Sequence, residues 1–71
     1  MQMGLERAQE VRENSLWKYI CEEIDYRIIL SEQKLRSCSK DELPVLQNRV
    51  TMLEEFRRLP EDVIEREEEA V

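Results

Sequence analysis

The chain of 71 residues has no histidine, one glycine, two prolines and two cysteines. Each scarcity excludes something. Without histidine, general acid–base work falls to a carboxylate, lysine, tyrosine or cysteine with a displaced pKa. The common zinc spacings cannot be assembled either. Cys21 and Cys38, if carried on one continuous helix, lie about 26 Å apart, far beyond the ~4.4–6.8 Å between Cα atoms that a disulfide needs. Both therefore read as small buried hydrophobes in a reducing compartment. No run of about 18 apolar residues suggests a membrane span. Met1 to Arg7 lack the basic segment, apolar core and cleavage site of a secretory signal, and Gly4 does not stand at position 2, where myristoylation needs it. There is no glycine-rich phosphate loop and no nucleophile motif. The expectation is a soluble cytoplasmic protein without cofactor or metal.

Charge is the first feature present in quantity. Of the net −6, Met1 to Leu59 carry 11 acids and 10 bases, a balance of −1. Pro60 to Val71 carry six acids against Arg66 alone, a balance of −5. The acidity belongs to the tail. Direct binding of a phosphate backbone is not expected, because it needs a clustered basic surface.

The second feature is helix propensity. Glu, Arg, Leu, Gln, Lys and Met dominate throughout, and no stretch alternates with period two. Nothing breaks a helix between Leu5 and Ser37. Asn14-Ser15 offers a cap for a later start, so the first helix is either one long rod or a rod of about 23 residues behind a loose arm. The unbroken helix formers tilt the choice toward the long rod. At Ser37–Pro44 the chain turns. Ser39 and Glu42 have the S-x-x-E spacing of a capping box, flanked by Cys38 and Leu43 as a staple. With Asp41 as the cap instead, Pro44 falls in the first turn, where its missing N–H costs nothing. A second helix then runs to about Arg58. Leu59-Pro60 stops it and starts a new N-terminus, where Val63 and Ile64 dock a short turn. The Glu65–Glu69 run repels itself and reads as exposed or frayed. The layout is one all-α domain: an arm or helix extension over 1–14, helix over 15–38, turn and second helix over 39–59, and an acidic tail with a short helical turn over 60–71.

A connection this short makes neighbouring helices antiparallel, which predicts a helical hairpin. Its core is Trp17, Ile20, Ile24, Ile28 and Leu35 from the first helix, with Cys21 in the same stripe. Leu43, Leu46, Val50, Leu53 and Phe56 face them from the second. The second helix reaches back only to about residue 17–20, so Trp17 sits near Phe56 and Leu59, and earlier residues project beyond the hairpin or pack on another subunit. A second apolar group on the first helix, Leu16, Tyr19, Tyr26, Ile29 and Leu30, has no partner in the chain. Scattered surface hydrophobes are common. Five such residues within 15 point instead to an interface. A domain of this size rarely gains more than ~3–5 kcal/mol from its core, so assembly into an oligomeric helical bundle is the natural stabiliser.

Catalytic residues are not expected. The adjacent pairs Glu22-Glu23 and Glu54-Glu55 diverge on a helix, and Glu22 with Asp25 lacks the Glu-x-x-His partner of a di-metal bundle. Arg27, Lys34, Arg49, Arg57 and Arg58 are placed either to pair with Glu23, Glu54 and Glu55 or to form small anion patches at an interface. Tyr19 and Tyr26, seven apart, suit coiled-coil contact better than nucleobase stacking.

Three segments carry a resemblance. Trp17-x-x-Ile20-x-x-Glu23-Ile24-Asp25-x-Arg27-Ile28 is followed by Cys38-Ser39-x-x-Glu42-Leu43-x-x-Leu46-Gln47 and by Leu59-Pro60-Glu61-Asp62. Over roughly residues 16–66 this resembles small helical-hairpin (coiled-coil) proteins encoded by tailed bacteriophages. The resemblance implies a virus-encoded accessory protein of the host cytoplasm or the virion, and transfers no functional residue. Two antiparallel helices of this size also resemble the short regulators that dephosphorylate a sporulation response regulator. Their S-Q-E-L-D signature is missing, since Leu46-Gln47-Asn48-Arg49-Val50 stands there. The expected function is therefore non-enzymatic: assembly with itself or docking on a larger virion protein. The alternative is an inhibitor that blocks a host defence or regulatory protein or sequesters a nucleotide signal.

Overall fold

The computed structural model describes residues 3–70, and they form four α-helices with no strand among them. The helices are α1 (Leu5–Glu13), α2 (Ser15–Leu35), α3 (Leu43–Arg57) and α4 (Leu59–Glu69). α3 returns along α2, and α4 packs against α1. The result is two tiers of paired helices, stacked end to end in a body of 46 × 26 × 18 Å.

Each passage between tiers is made at a single residue. Asn14 is extended (φ −75°, ψ 131°), and its side-chain oxygen accepts a 2.8 Å hydrogen bond from the Leu16 N–H. An asparagine oxygen satisfies one of the amide donors that the start of a helix leaves unpaired. The uninterrupted rod from Leu5 is thus replaced by a one-residue break with a cap. On the returning side the break is Arg58 (φ −90°, ψ 0°). Pro60 lies within the first turn of α4, where its missing N–H is one of the orphans anyway. Leu59, which precedes the proline, is already helical, so the break falls one residue earlier than the proline alone suggests.

Residues 1–14 and 60–71 depart most from the sequence reading. Over its described part the first segment is not a loose arm and does not project; it is α1, lying on α4. The acidic tail is helical from Pro60 to Glu69, within the eleven-residue α4, in place of a short turn. Pro60, Val63 and Ile64 are buried at helical spacing, and Val63 and Ile64 close on Ala8, with Met3 and Leu5 at the edge. Full burial of a Val or Ile side chain is worth about 1.5–3 kcal/mol, enough to outweigh repulsion among exposed glutamates. The tail's charges are also managed locally. Glu61 and Asp62 occupy the first turn of α4, where the helix dipole favours acids. Arg58 meets Asp62 at 3.5 Å and Glu65 at 3.8 Å. Arg12 reaches Glu61 across the pair at 3.7 Å, and the Arg66 guanidinium donates to the Met3 carbonyl at 3.1 Å.

The tier of α2 and α3, taken as the lower one, turns at residues 36–42. The Ser39 hydroxyl accepts from the Glu42 N–H at 3.3 Å, and the Ser39 carbonyl accepts from Leu43 N–H at 3.1 Å. The expected capping box is not the cap of α3: the serine bond closes a turn ahead of the helix, Glu42 stands at the N-cap position without a side-chain cap bond, and no bond runs back from the Glu42 side chain among the described residues. Because residues 40–42 make a turn before α3 begins, Pro44 still falls in the first helical turn. Cys21 and Cys38 are free thiols, both half-buried, and the Cys38 thiol donates to the Leu35 carbonyl.

Candidate interaction face

The contact between α2 and α3 is narrow. Ile24 and Leu46 are buried at its centre, and Ser31 joins them at 4% exposure. Ser31 lies two helical turns beyond Ile24, on the same line, and a small side chain there lets the two backbones approach. Trp17, Ile28, Leu35, Val50 and Leu53 flank this strip half-buried, and Cys21 lies at the same depth. Trp17 meets Phe56 with ring centroids 5.9 Å apart and planes tilted by 42°.

Three of the expected core residues stay outside. Ile20 is 45% exposed, Phe56 51% and Leu43 36%. Two helices alone bury only the side chains within about 40° of the line between them, at ~100° per residue. Ile20 and Phe56 lie at or beyond that limit, and Leu43 sits at the end of its helix beside the turn.

The five residues of the expected second face are all exposed: Leu16 at 66%, Tyr19 at 65%, Tyr26 at 56%, Ile29 at 52% and Leu30 at 38%. They do not form one patch by themselves. On the ~100° helical wheel, Leu16, Leu30, Tyr19 and Tyr26 fall on one flank of α2, following on from Ile20. Ile29 lies about 60° further round, toward Asp25. The matching flank of α3 carries Val45, Met52 and Phe56, exposed at 62%, 61% and 51%. Glu23, Tyr26, Arg27, Leu30, Ser31 and Lys34 share a shallow groove with Arg49 and Leu53 of α3. Arg49 and Leu53 also line the adjoining groove with Val45, Met52 and Phe56. The apolar flanks of the two helices are therefore on the same side of the layer.

The opposite side holds an ion pair across the two helices. There Arg57 grips Asp25 with both ends of its guanidinium, Nε to Oδ1 at 2.6 Å and Nη2 to Oδ2 at 3.2 Å. That hydrogen bond, and then the carboxylate's charge, raise the Arg57 pKa above the usual arginine range. The Arg27–Glu23 pair, one turn apart at 3.2 Å, lies instead on the groove side, among the apolar residues. Lys34 and Arg49 make no ion pair among the described residues, and both border the groove.

The sequence reading misses Val45, Met52 and the outward half of Phe56 as surface. Their spacing, 45–52–56, is a repeat of seven and four, but an apolar repeat does not say which of two faces it serves. No cluster of three metal-ligating side chains occurs among the described residues, and no helix is long and apolar enough to cross a membrane. No protein-family model, no curated protein and no solved structure matches the chain.

Proposed function

We propose that the chain is a non-enzymatic assembly protein: a helical hairpin of α2 and α3 that docks through its apolar side onto another helical protein surface. One observation carries the reading. Seven large apolar side chains, Leu16, Tyr19, Tyr26 and Leu30 from α2 with Val45, Met52 and Phe56 from α3, are exposed on one side of a two-helix layer, around the Glu23–Arg27 pair, while the other side holds the Asp25–Arg57 pair. Exposed apolar groups on that scale, bordered by charged residues, mark interaction sites. Helical layers of this kind bury such a side by packing on further helices. The resemblance to small phage-encoded proteins favours virion assembly, or an accessory role during infection, as the setting for such docking.

A photo-crosslinking amino acid tests it in cells. Placed at Tyr19 or Met52, it is expected to give defined protein adducts. Placed at Glu32 or Gln47, on the Asp25 side, it is expected to give none. Equal labelling from both sides would overturn the reading.

A further inference from the structure

We infer that the apolar side of α2 and α3 is covered by a second copy of this chain lying antiparallel, so that two hairpin layers close into a four-helix bundle. The inference rests on the docking reading above and names its partner.

Area is the first argument. A compact monomer of this mass exposes about 4,700 Å², and the chain exposes 5955 Å². The exposed parts of the patch amount to roughly 800–1,000 Å², close to the ~800 Å² that each partner contributes to a standard stable interface.

Charge is the second, and it sets the direction. Residues 27–50, around the turn, carry five bases and three acids, a balance of +2. Residues 1–14 and 58–71, which include α1 and α4, carry four bases and nine acids, a balance of −5. A parallel pair would set the two acidic ends side by side. An antiparallel pair centred on the patch, near residue 23, sets the turn of each copy beside the α1/α4 end of the other. At ~1.5 Å per residue, Lys34 then comes level with the Arg12–Glu13 turn and with Glu61 beyond it. Lys34 has no acidic partner within its own chain among the described residues, and this register supplies one. Leu16 and Leu30, about 21 Å apart along α2, exchange places across the two-fold axis, as an isologous contact requires.

The test uses the full chain. Light-scattering mass over a concentration series is expected to pass from 8.6 kDa to twice that value. Tyr26→Glu is expected to raise the dissociation constant at least about tenfold, as loss of a central aromatic does, with helix content by circular dichroism unchanged. A spin label on Ser37→Cys, in a Cys21→Ala and Cys38→Ser background, is expected to report about 40 Å between copies; a parallel pair would give under about 20 Å. A short distance, or a dimer indifferent to Tyr26→Glu, overturns the arrangement. A mass that stays monomeric to about 1 mM, where even weak association shows, overturns the second copy as partner. If the Tyr19 crosslinker then still captures another protein and Glu32 does not, docking survives and only its partner was misassigned. If neither captures anything, both readings fall.

Discussion

Asn14 and Ala8 show how differently two residues a few positions apart advertise themselves. An asparagine followed by serine, ahead of an apolar run, is a helix cap by its chemistry, and the local sequence alone marks that option. Ala8 is fully buried yet carries no signal, because alanine is the best helix former and fits any face. Each supports a definite test. Asn14→Ala removes the bond to Leu16 N–H and is expected to cost ~1 kcal/mol in urea denaturation. Ala8→Leu overfills the contact with Val63 and Ile64 and is expected to cost ~1–3 kcal/mol. For the Asp25–Arg57 pair a double-mutant cycle is expected to give ~0.5–1 kcal/mol, since both side chains are nearly half exposed. The Arg57 pKa is raised, so its contribution is complete below the ordinary arginine value and is lost only as pH climbs past the higher one. The coupling should therefore be flat across about pH 6–9, as cycles repeated at the two ends of that range would check.

At the scale of elements, α1 and α4 depend on one another. Helices of nine and eleven residues are too short to stand alone in water, where isolated helices below about 12–15 residues are marginal. Val63→Asp buries an uncompensated carboxylate between them and is expected to release both. Amide exchange of α1 and α4 should accelerate together, with α2 and α3 still protected. The all-helical character of the chain was legible in the shortage of glycine and proline and the wealth of Glu, Arg and Leu. Docking through Val63 and Ile64 was legible too, but neither the length of α4 nor its partner was. Glu65–Glu69 dominates any reading by charge, and the stripe that decides the outcome is short: Pro60, Val63 and Ile64. The partner of that stripe lies more than fifty residues away, and local patterning carries no information about such pairings.

For the whole molecule, a radius of gyration of 15.0 Å against about 11 Å for a globular chain of this length means few residues have neighbours on every side. Self-association should then show in stability. The melting temperature is expected to rise with protein concentration for the native chain and to stay flat for Tyr26→Glu. The site was half legible at this scale. Leu16, Tyr19, Tyr26 and Leu30 followed from the surplus of apolar residues on the first helix. That α3 contributes Val45, Met52 and Phe56 to the same side depends on how the two helices are rotated about their axes, and only the packed structure fixes that.

The paired breaks at Asn14 and Arg58 make the lower tier a length that can be changed. Seven residues inserted in step into α2 and α3, two full turns in each, would extend that tier by about 10.5 Å and return every side chain to nearly the same direction. α1 and α4, with the contact around Ala8, would be carried along untouched. The chain thus has the makings of a molecular ruler, a spacer whose ends are specified separately from its span.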